Sequence, residues 1–368
     1  GDKVIYDNTK YLVEKALKEI QETAIIESMD MTGATEKKDE NSLEEKGIKS
    51  KIKHSINRIL SPKLKSKIRY IMSKKQNPDE DRLLRYYEEK LKGSDLVIFV
   101  GGGIIKYLYQ DFYRYISLIV EVCEKLGIDV LFNSVGIEEY SDKDYRCQRL
   151  KKALNKSCVK GITTRDDFDL LTKHYIENPN IILGKVADPA VWSYQTYAEN
   201  ISKRTEVIGL GIIRPGIFKD NGIQLTEQKQ IDLWSNIIDE LEKKGYSWKL
   251  FTNGLNSDYE FAKKILEIKN MKVEEKLVDM PKNGEELIQI ISEFKGVIAA
   301  RMHANIIAYS LDIPAIGIVW NNKLKMFGEN IKQPERFVNY KDLKAEYMVE
   351  KLEKALEERY DFKKEEYQ

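Results

Sequence analysis

Two residues whose side chains could do chemistry, Arg301 and His303, stand two positions apart just after a short apolar run. The run 296–299 has the length of a buried strand in a parallel sheet, and helical spacing follows over 304–311. Ligands of open α/β sheets bind just beyond the carboxyl ends of the strands. A helix start also offers free backbone N–H groups to an anion. The spacing therefore predicts a corner where a guanidinium could hold an anion beside an imidazole.

The same corner has a structural interpretation that the residues alone leave open. In that interpretation Arg301 pairs with a carboxylate, and His303 is a helix-start residue satisfied by the backbone. Buried polar groups of this kind are usually hydrogen-bonded for structural reasons. We therefore expect either an anion-binding corner or a purely structural one.

The corner also resembles a known family. The run Arg-Met-His-Ala at 301–304, followed by Pro314, Lys323 and Phe327, is similar to the C-terminal signature of the polysaccharide pyruvyl transferase family. The resemblance covers most of residues 1–328. It implies a functional role for Arg301 and His303, and it makes Lys323 a secondary candidate for binding the donor.

A glycine run forms a second motif. Gly101, Gly102 and Gly103 follow the predicted strand 95–100 and precede a predicted helix. Glycines at such a turn let the backbone approach a phosphate closely. The run matches neither the Walker loop nor the dinucleotide fingerprint, so a tight turn remains the alternative. The family has a similar strand that begins with Asp and ends in three glycines, which implies a donor-binding role here.

Two further arginines follow predicted strands. Arg165 comes after the strand 159–163, where the family also has an Arg-Asp pair, and Arg214 comes after the strand 206–213. Both are candidate anion ligands, and a capping pair is the alternative for Arg165. The sequence Asp-Pro-Ala at 188–190 also resembles the family, and we expect it to be structural because proline restricts the residue before it.

Strands and helices alternate along both halves of the 368-residue chain. This rhythm predicts an α/β fold with two Rossmann-like, doubly wound domains facing a cleft, which is a glycosyltransferase-B-like architecture that the family shares. We expect an N-terminal domain over 1–195, a polar linker over 193–205 and a C-terminal domain over 206–340. The segment 341–368 should form a helix that packs back toward the first domain.

Two features near the N-terminus carry smaller expectations. The segment 23–29 could be a strand. The chain opens with Gly-Asp and has no Met at its start. In the family a strand leads into such a Gly-Asp, so the resemblance implies that residues precede this sequence.

A basic insert distinguishes the first half. Residues 46–78 contain no acidic side chain, and their apolar residues recur in steps of three and four. The pattern predicts a basic amphipathic helical insert, which can lie on an anionic membrane surface. The alternative is a helical pair with a solvated basic face. The formal net charge is only +1, and no binding-module pattern accompanies the insert, so we expect no nucleic-acid partner.

Other composition features exclude several classes of protein. The three cysteines lack a CxxC spacing, which disfavours a zinc site and suits a reducing compartment. No apolar run approaches the length of a membrane span, and no signal peptide is visible. We expect a cytoplasmic protein that can lie peripherally on the inner face of the membrane, with neither a metal nor a cofactor.

The resemblance implies a reaction. Phosphoenolpyruvate would give its pyruvyl group to a sugar of a cell-surface glycan or its lipid-linked precursor, forming a ketal and releasing phosphate. His303 would be the general acid, with Arg301 and Arg165 holding the donor and Arg214 assisting.

Two rival hypotheses stay open. One is a sugar-nucleotide glycosyltransferase of the same architecture, although no acidic residue for a ribose is evident after 296–300 or after 320. The other is a non-catalytic protein that binds surfaces through 46–78.

Overall fold

The computed structural model describes residues 2–33, 78–108 and 110–358. These residues form two compact units. The first is Thr23–Val186, and the second joins the described residues up to Glu22 with those from Ala187 onward. The predicted basic insert, 46–78, lies outside the described residues except for Pro78, so its helices stay a prediction.

The first unit is built on a four-stranded parallel sheet in the order β1-β2-β3-β4. Its strands are β1 (Leu96–Phe99), β2 (Asp129–Val135), β3 (Val159–Thr164) and β4 (Ile182–Lys185). Its helices are α2 (Pro78–Leu91), α3 (Phe112–Leu126), α4 (Tyr145–Leu154) and the short turns Phe168–Leu170 and Leu171–Tyr175. One continuous apolar core joins these helices to the sheet.

The second unit contains a five-stranded parallel sheet in the order β6-β5-β7-β8-β9. Its strands are β5 (Val207–Gly211), β6 (Ser247–Phe251), β7 (Gly296–Ala299), β8 (Ala315–Val319) and β9 (Phe337–Asn339). Its longer helices are α1 (Asp2–Glu19), α5 (Glu227–Lys243), α6 (Asn256–Ile268), α7 (Gly284–Ser292), α8 (Met302–Ser310), α9 (Asn322–Asn330) and α10 (Ala345–Glu357). Shorter helical turns are Pro189–Trp192, Ser193–Thr196, Ala198–Asn200, Gly216–Asp220, Val273–Lys276 and Pro334–Arg336.

This second sheet is covered on both faces. Successive residues of a strand point to opposite faces. In β7, Ile298 belongs to one apolar core, whereas Val297 and Ala299 belong to the other. Parallel strands buried in this way read as continuous apolar runs, which is why β7 was visible in the sequence. The predicted α/β fold with two parallel sheets is thus confirmed.

The predicted N-terminal domain, 1–195, is wrong at both ends. Helix α1 packs in the second unit, where Val4 shares an apolar core with Val191 and Tyr197. Its buried Asn8 donates a hydrogen bond to the Ser193 hydroxyl at 3.2 Å. The segment 187–200 therefore forms part of the second unit's core and is not a polar linker, because its apolar side chains and α1 bury one another.

The C-terminal helix α10 also differs from the prediction. Its apolar residues recur every three or four positions and are buried in a core of the second unit, namely Ala345, Met348, Val349, Leu352 and Ala355. The stripe packs against α5 and against strands β7 and β8. The described part of the predicted 341–368 helix thus covers its own sheet, because that sheet face needs an apolar cover.

Two strand predictions in the first unit need smaller corrections. Residues 23–29 are described and form no strand, and Ile25 is 93% exposed. The parallel sheet already ends at β1 on one side and β4 on the other. Strand β1 was predicted to be buried, but Leu96 is exposed because β1 lies at the edge of the sheet.

Candidate functional site

The corner after β7 is formed by a buried strand that turns directly into a helix. Arg301 is the N-terminal cap residue of α8, so His303 is the second residue of that helix. The buried Asn305 side chain donates hydrogen bonds to the carbonyl of Ala299 at 3.1 Å and that of Arg301 at 2.9 Å. The turn that presents Arg301 and His303 is therefore fixed by a side chain of the same helix.

The Arg301 side chain is held by a buried carboxylate. Its Nε donates to Oδ2 of Asp258 and its Nη2 donates to Oδ1, both at 2.8 Å. Asp258 is in the first turn of α6 and is fully buried, whereas the Arg301 side chain remains 20% exposed. A guanidinium has five N–H donors, so the rest of its donors are directed away from Asp258. The carboxylate partner that the structural interpretation required is present, and the Arg301 side chain is still partly exposed.

The same carboxylate also fixes the turn after β5. The backbone N–H of Arg214 donates to Oδ1 of Asp258 at 2.9 Å. The Arg214 side chain extends to Asp220, with Nη2 and Oδ2 2.6 Å apart, and is 35% exposed. Because β5 and β7 are neighbours, Asp258 connects the carboxyl ends of two adjacent strands. Sequence reasoning missed Asp258, and the only local signal was an acidic residue in the first turn of a helix.

The His303 imidazole faces a second buried carboxylate. Its Nε2 lies 3.7 Å from Oδ2 of Asp188, and the two side chains are 16% and 2% exposed. Asp188 also caps the turn Pro189–Trp192, because its Oδ1 accepts from the Ala190 N–H at 2.9 Å. The Asp-Pro-Ala motif was expected to be structural only. The structure shows Asp188 in the expected extended geometry, and its carboxylate both caps the turn and lies beside His303.

Lys323 follows the next strand, β8. Asn321 caps helix α9 by accepting from the Leu324 N–H at 3.0 Å, and Lys323 is the second residue of α9, partly buried. Trp320 donates its indole N–H to the Ala300 carbonyl at 2.7 Å, which ties the end of β8 to the end of β7. The structure thus places Arg214, Arg301, His303 and Lys323 after three neighbouring strands of one sheet.

The remaining candidates lie in the first unit. Gly101, Gly102 and Gly103 follow β1, and Gly101 has φ +141°, a conformation that disfavours a side chain. The Gly102 carbonyl accepts from the Gly136 N–H at 2.8 Å, so the run packs against the turn after β2. A Cβ on Gly136 would lie 3.0 Å from the Gly103 Cα. The glycines therefore permit close packing of two turns, as the tight-turn alternative required.

Arg165 follows β3 in this unit and is only 6% exposed. Its neighbour Asp166 accepts from the Ile137 N–H at 2.9 Å and from the Thr164 hydroxyl at 3.1 Å. Asp166 therefore connects the ends of β2 and β3. The side chain that caps the following helical turn is that of Asp167, whose Oδ1 accepts a hydrogen bond from the Leu170 N–H at 2.9 Å.

The other residues with possible chemistry in the described part of the chain are the three cysteines and His174. The described residues contain no group of three His, Cys, Asp or Glu side chains that could hold a metal ion. The three cysteines are buried, and burial raises the pKa of Cys123 to about 11 and that of Cys158 to about 12. A thiol with such a pKa is a poor nucleophile near neutral pH. His174 packs against the Tyr140 ring, at 5.0 Å between centroids, and His54 lies outside the described residues.

The fold resembles solved structures that have very different sequences. The UDP-GlcNAc 2-epimerase from Methanocaldococcus jannaschii matches with a TM-score of 0.54 and 12% identity, over 78% of this chain and 77% of that one. A putative UDP-N-acetylglucosamine 2-epimerase from Listeria monocytogenes matches with a TM-score of 0.51 and 9% identity, over 78% and 73%. These likenesses show the fold alone, and they place the chain in the predicted glycosyltransferase-B-like class.

Family membership rests on a separate comparison. The model of the polysaccharide pyruvyl transferase family matches residues 11–322, which include every candidate described above except Lys323. The chain therefore belongs to the polysaccharide pyruvyl transferase family, and the predicted resemblance is confirmed.

No curated protein matches the chain. None of the described helices is both long and apolar enough to cross a membrane.

Proposed function

We propose that this transferase moves the pyruvyl group of phosphoenolpyruvate onto a sugar of a cell-surface glycan or its lipid-linked precursor. The product is a cyclic pyruvate ketal, and phosphate is released. The observation that carries the proposal is the corner after β7, where a fixed guanidinium and an imidazole beside a carboxylate follow one strand. Family membership adds the class of group that is transferred.

The donor would be held mainly through its two anionic groups. Phosphoenolpyruvate carries a phosphate and a carboxylate, and both match the fork of a guanidinium. Arg301 supplies a fork whose orientation is already set by Asp258. Arg214 and Lys323 are the further proposed ligands in the same unit. In the first unit, Arg165 and the glycine run 101–103 stay predicted anion ligands, the run through its backbone N–H groups.

His303 would act as the general acid. A protonated imidazole gives its proton to the methylene carbon of phosphoenolpyruvate while a sugar hydroxyl adds to C2. The C2–O bond then breaks and phosphate leaves. A second hydroxyl of the same sugar closes the ketal at C2. The two hydroxyl protons balance the reaction, since one restores the imidazolium and the other leaves with phosphate.

The proposal includes the setting of the reaction. We propose a cytoplasmic enzyme that needs neither a metal nor a cofactor, because a positioned acid and cationic ligands supply the chemistry. The basic segment 46–78 would hold the enzyme on the anionic inner face of the membrane, where a lipid-linked acceptor is found. Binding to vesicles with and without anionic lipid would test that part separately.

The reaction is tested by incubating pure protein with phosphoenolpyruvate and candidate lipid-linked or nitrophenyl sugars. We expect phosphate to appear in step with a product whose mass is increased by one pyruvate ketal. Without a sugar, phosphate release should stay at background. The proposal would be contradicted if the sugar were consumed with no gain in mass, or if phosphate were released at the same rate with and without the sugar.

The second candidate function is a sugar-nucleotide glycosyltransferase. Structures of similar fold are named as enzymes of UDP-GlcNAc, so the shared fold is compatible with a nucleotide donor. The same incubation distinguishes the two functions. A UDP-sugar in place of phosphoenolpyruvate should give no product, whereas release of UDP would favour this alternative.

A further inference from the structure

Asp258 has an unusual set of contacts for a residue in the first turn of a surface helix. Its side chain is fully buried and accepts three N–H groups, from Arg301 Nε, Arg301 Nη2 and the backbone of Arg214. Both carboxylate oxygens are used. A buried carboxylate is costly unless it is paired and hydrogen-bonded. Here the three N–H groups that the Asp258 side chain accepts belong to Arg301 and Arg214, which are both candidate anion ligands.

The two ends of this ion pair differ in exposure. The carboxylate is 0% exposed and the Arg301 side chain is 20% exposed. The Arg301 side chain is therefore the more exposed member of the ion pair. Two contacts to one carboxylate fix both the position and the plane of a guanidinium. The Arg301 N–H donors that do not contact Asp258 consequently have a fixed direction.

We propose that Asp258 is the positioning residue of the donor site. It acts through Arg301 and through the Arg214 turn, and it does not touch the donor. The identity of the anion as phosphoenolpyruvate rests on the proposed function. The positioning role does not, because any phosphate or carboxylate bound by Arg301 would depend on the same contacts.

The test is donor binding by calorimetry, in the absence of any sugar, with phosphoenolpyruvate and with inorganic phosphate. In Asp258→Asn an amide NH₂ replaces one acceptor oxygen and opposes a guanidinium N–H. We expect phosphoenolpyruvate to bind roughly tenfold more weakly, the usual effect of losing a hydrogen bond between charged groups. The Michaelis constant for phosphoenolpyruvate should rise more than the turnover number falls.

The matched control is Glu260→Gln. It removes one carboxylate charge from the same helix, but Glu260 is exposed and pairs with Lys263. Binding by this variant should equal that of the wild type. Equal losses in both variants would show a general charge effect and would overturn the positioning role.

A double-mutant cycle separates positioning from simple structural support. Arg301→Lys keeps the charge and removes the fork. If Asp258 acts through Arg301, adding Asp258→Asn to this variant should cost little further affinity. A further loss as large as that of Asp258→Asn alone would show that Asp258 does not act through Arg301, and it would overturn the proposal. If Asp258→Asn fails to fold, Asp258→Glu takes its place, because one added methylene keeps the charge and displaces the guanidinium. Wild-type binding by Asp258→Glu would then overturn it.

These results remain distinct from a failure of the proposed function. A wild type that binds phosphate but not phosphoenolpyruvate, or binds both and transfers nothing, would contradict the pyruvyl transfer. The positioning role would still be tested in that case, because phosphate binding would respond to Asp258→Asn in the same direction.

Discussion

At the end of β7 the side chains are held in place, whereas at the ends of β1, β2 and β3 the backbone is held in place. Arg301 and His303 each face a buried carboxylate and remain partly exposed. In the first unit, the turns after β1 and β2 pack closely because they meet at glycines, and Asp166 accepts hydrogen bonds from two backbone N–H groups. The first arrangement suits directed side-chain chemistry, and the second suits close approach of the main chain.

The contrast also concerns charge. In the second unit Arg301 pairs with Asp258, Arg214 with Asp220, and His303 lies near Asp188. Each of these basic side chains therefore lies beside a carboxylate. An anion would be recognised by the direction of N–H donors more than by net positive charge, and such binding depends on fixed geometry.

The largest expected effect is the loss of the buried carboxylate itself. Asp258→Ala leaves the Arg301 guanidinium without its partner, and breaking a buried ion pair in this way costs about 3–5 kcal/mol of unfolding free energy. Denaturant unfolding followed by tryptophan fluorescence measures this, because Trp234 and Trp248 are buried in the same unit. A loss below about 1 kcal/mol, as for an exposed pair, would show that the pair does not hold this corner.

The equivalent substitution in the first unit should lower the free energy of unfolding by less. Asp166→Ala removes an acceptor from the Ile137 N–H and the Asp167 N–H. Leaving buried donors unsatisfied costs about 1–3 kcal/mol. Denaturant unfolding measures the free energy of unfolding of Asp166→Ala and of the control Asp169→Ala, which changes an exposed site of the same unit. Equal stability of the two variants would contradict a bracing role for Asp166.

The glycine run gives a prediction of similar size that concerns a single turn. Gly101 has φ +141°, so Gly101→Ala should cost about 1–3 kcal/mol through backbone strain. Gly184→Ala in β4 is the control, because a Cβ there meets only Thr163 at an ordinary 3.5 Å. If the backbone of this run binds the donor, Gly101→Ala should also weaken phosphoenolpyruvate binding. An unchanged affinity would leave the run a tight turn only.

The smallest effect concerns the exposed partner of Arg214. Asp220 is 56% exposed and holds the Arg214 side chain. An exposed ion pair contributes about 0–1 kcal/mol, so Asp220→Asn should strengthen donor binding by no more than roughly fivefold, as Arg214 becomes free to bind the anion. Calorimetry with phosphoenolpyruvate measures the change. A tenfold loss would instead show that Asp220 positions Arg214.

The sequence predicted local structure well because local patterns determine it. The apolar run 296–299 and the following helical spacing place Arg301 and His303 correctly at a strand end. Their carboxylate partners were not predicted. Asp258 lies 43 residues before Arg301, and its role depends on which helices flank the sheet. The pattern of α1 likewise predicts a helix, but it does not say which sheet the helix covers.

The proposed mechanism requires that His303 gives its proton to a donor that is already bound. The most direct test compares His303→Gln with the wild type and with His174→Gln, in donor binding and in ketal formation. We expect His303→Gln to bind phosphoenolpyruvate nearly normally and to form ketal about 10²–10⁴-fold more slowly, the usual contribution of a general acid. His174→Gln should behave as the wild type. Ketal formation by His303→Gln at the wild-type rate would show that His303 is not the general acid.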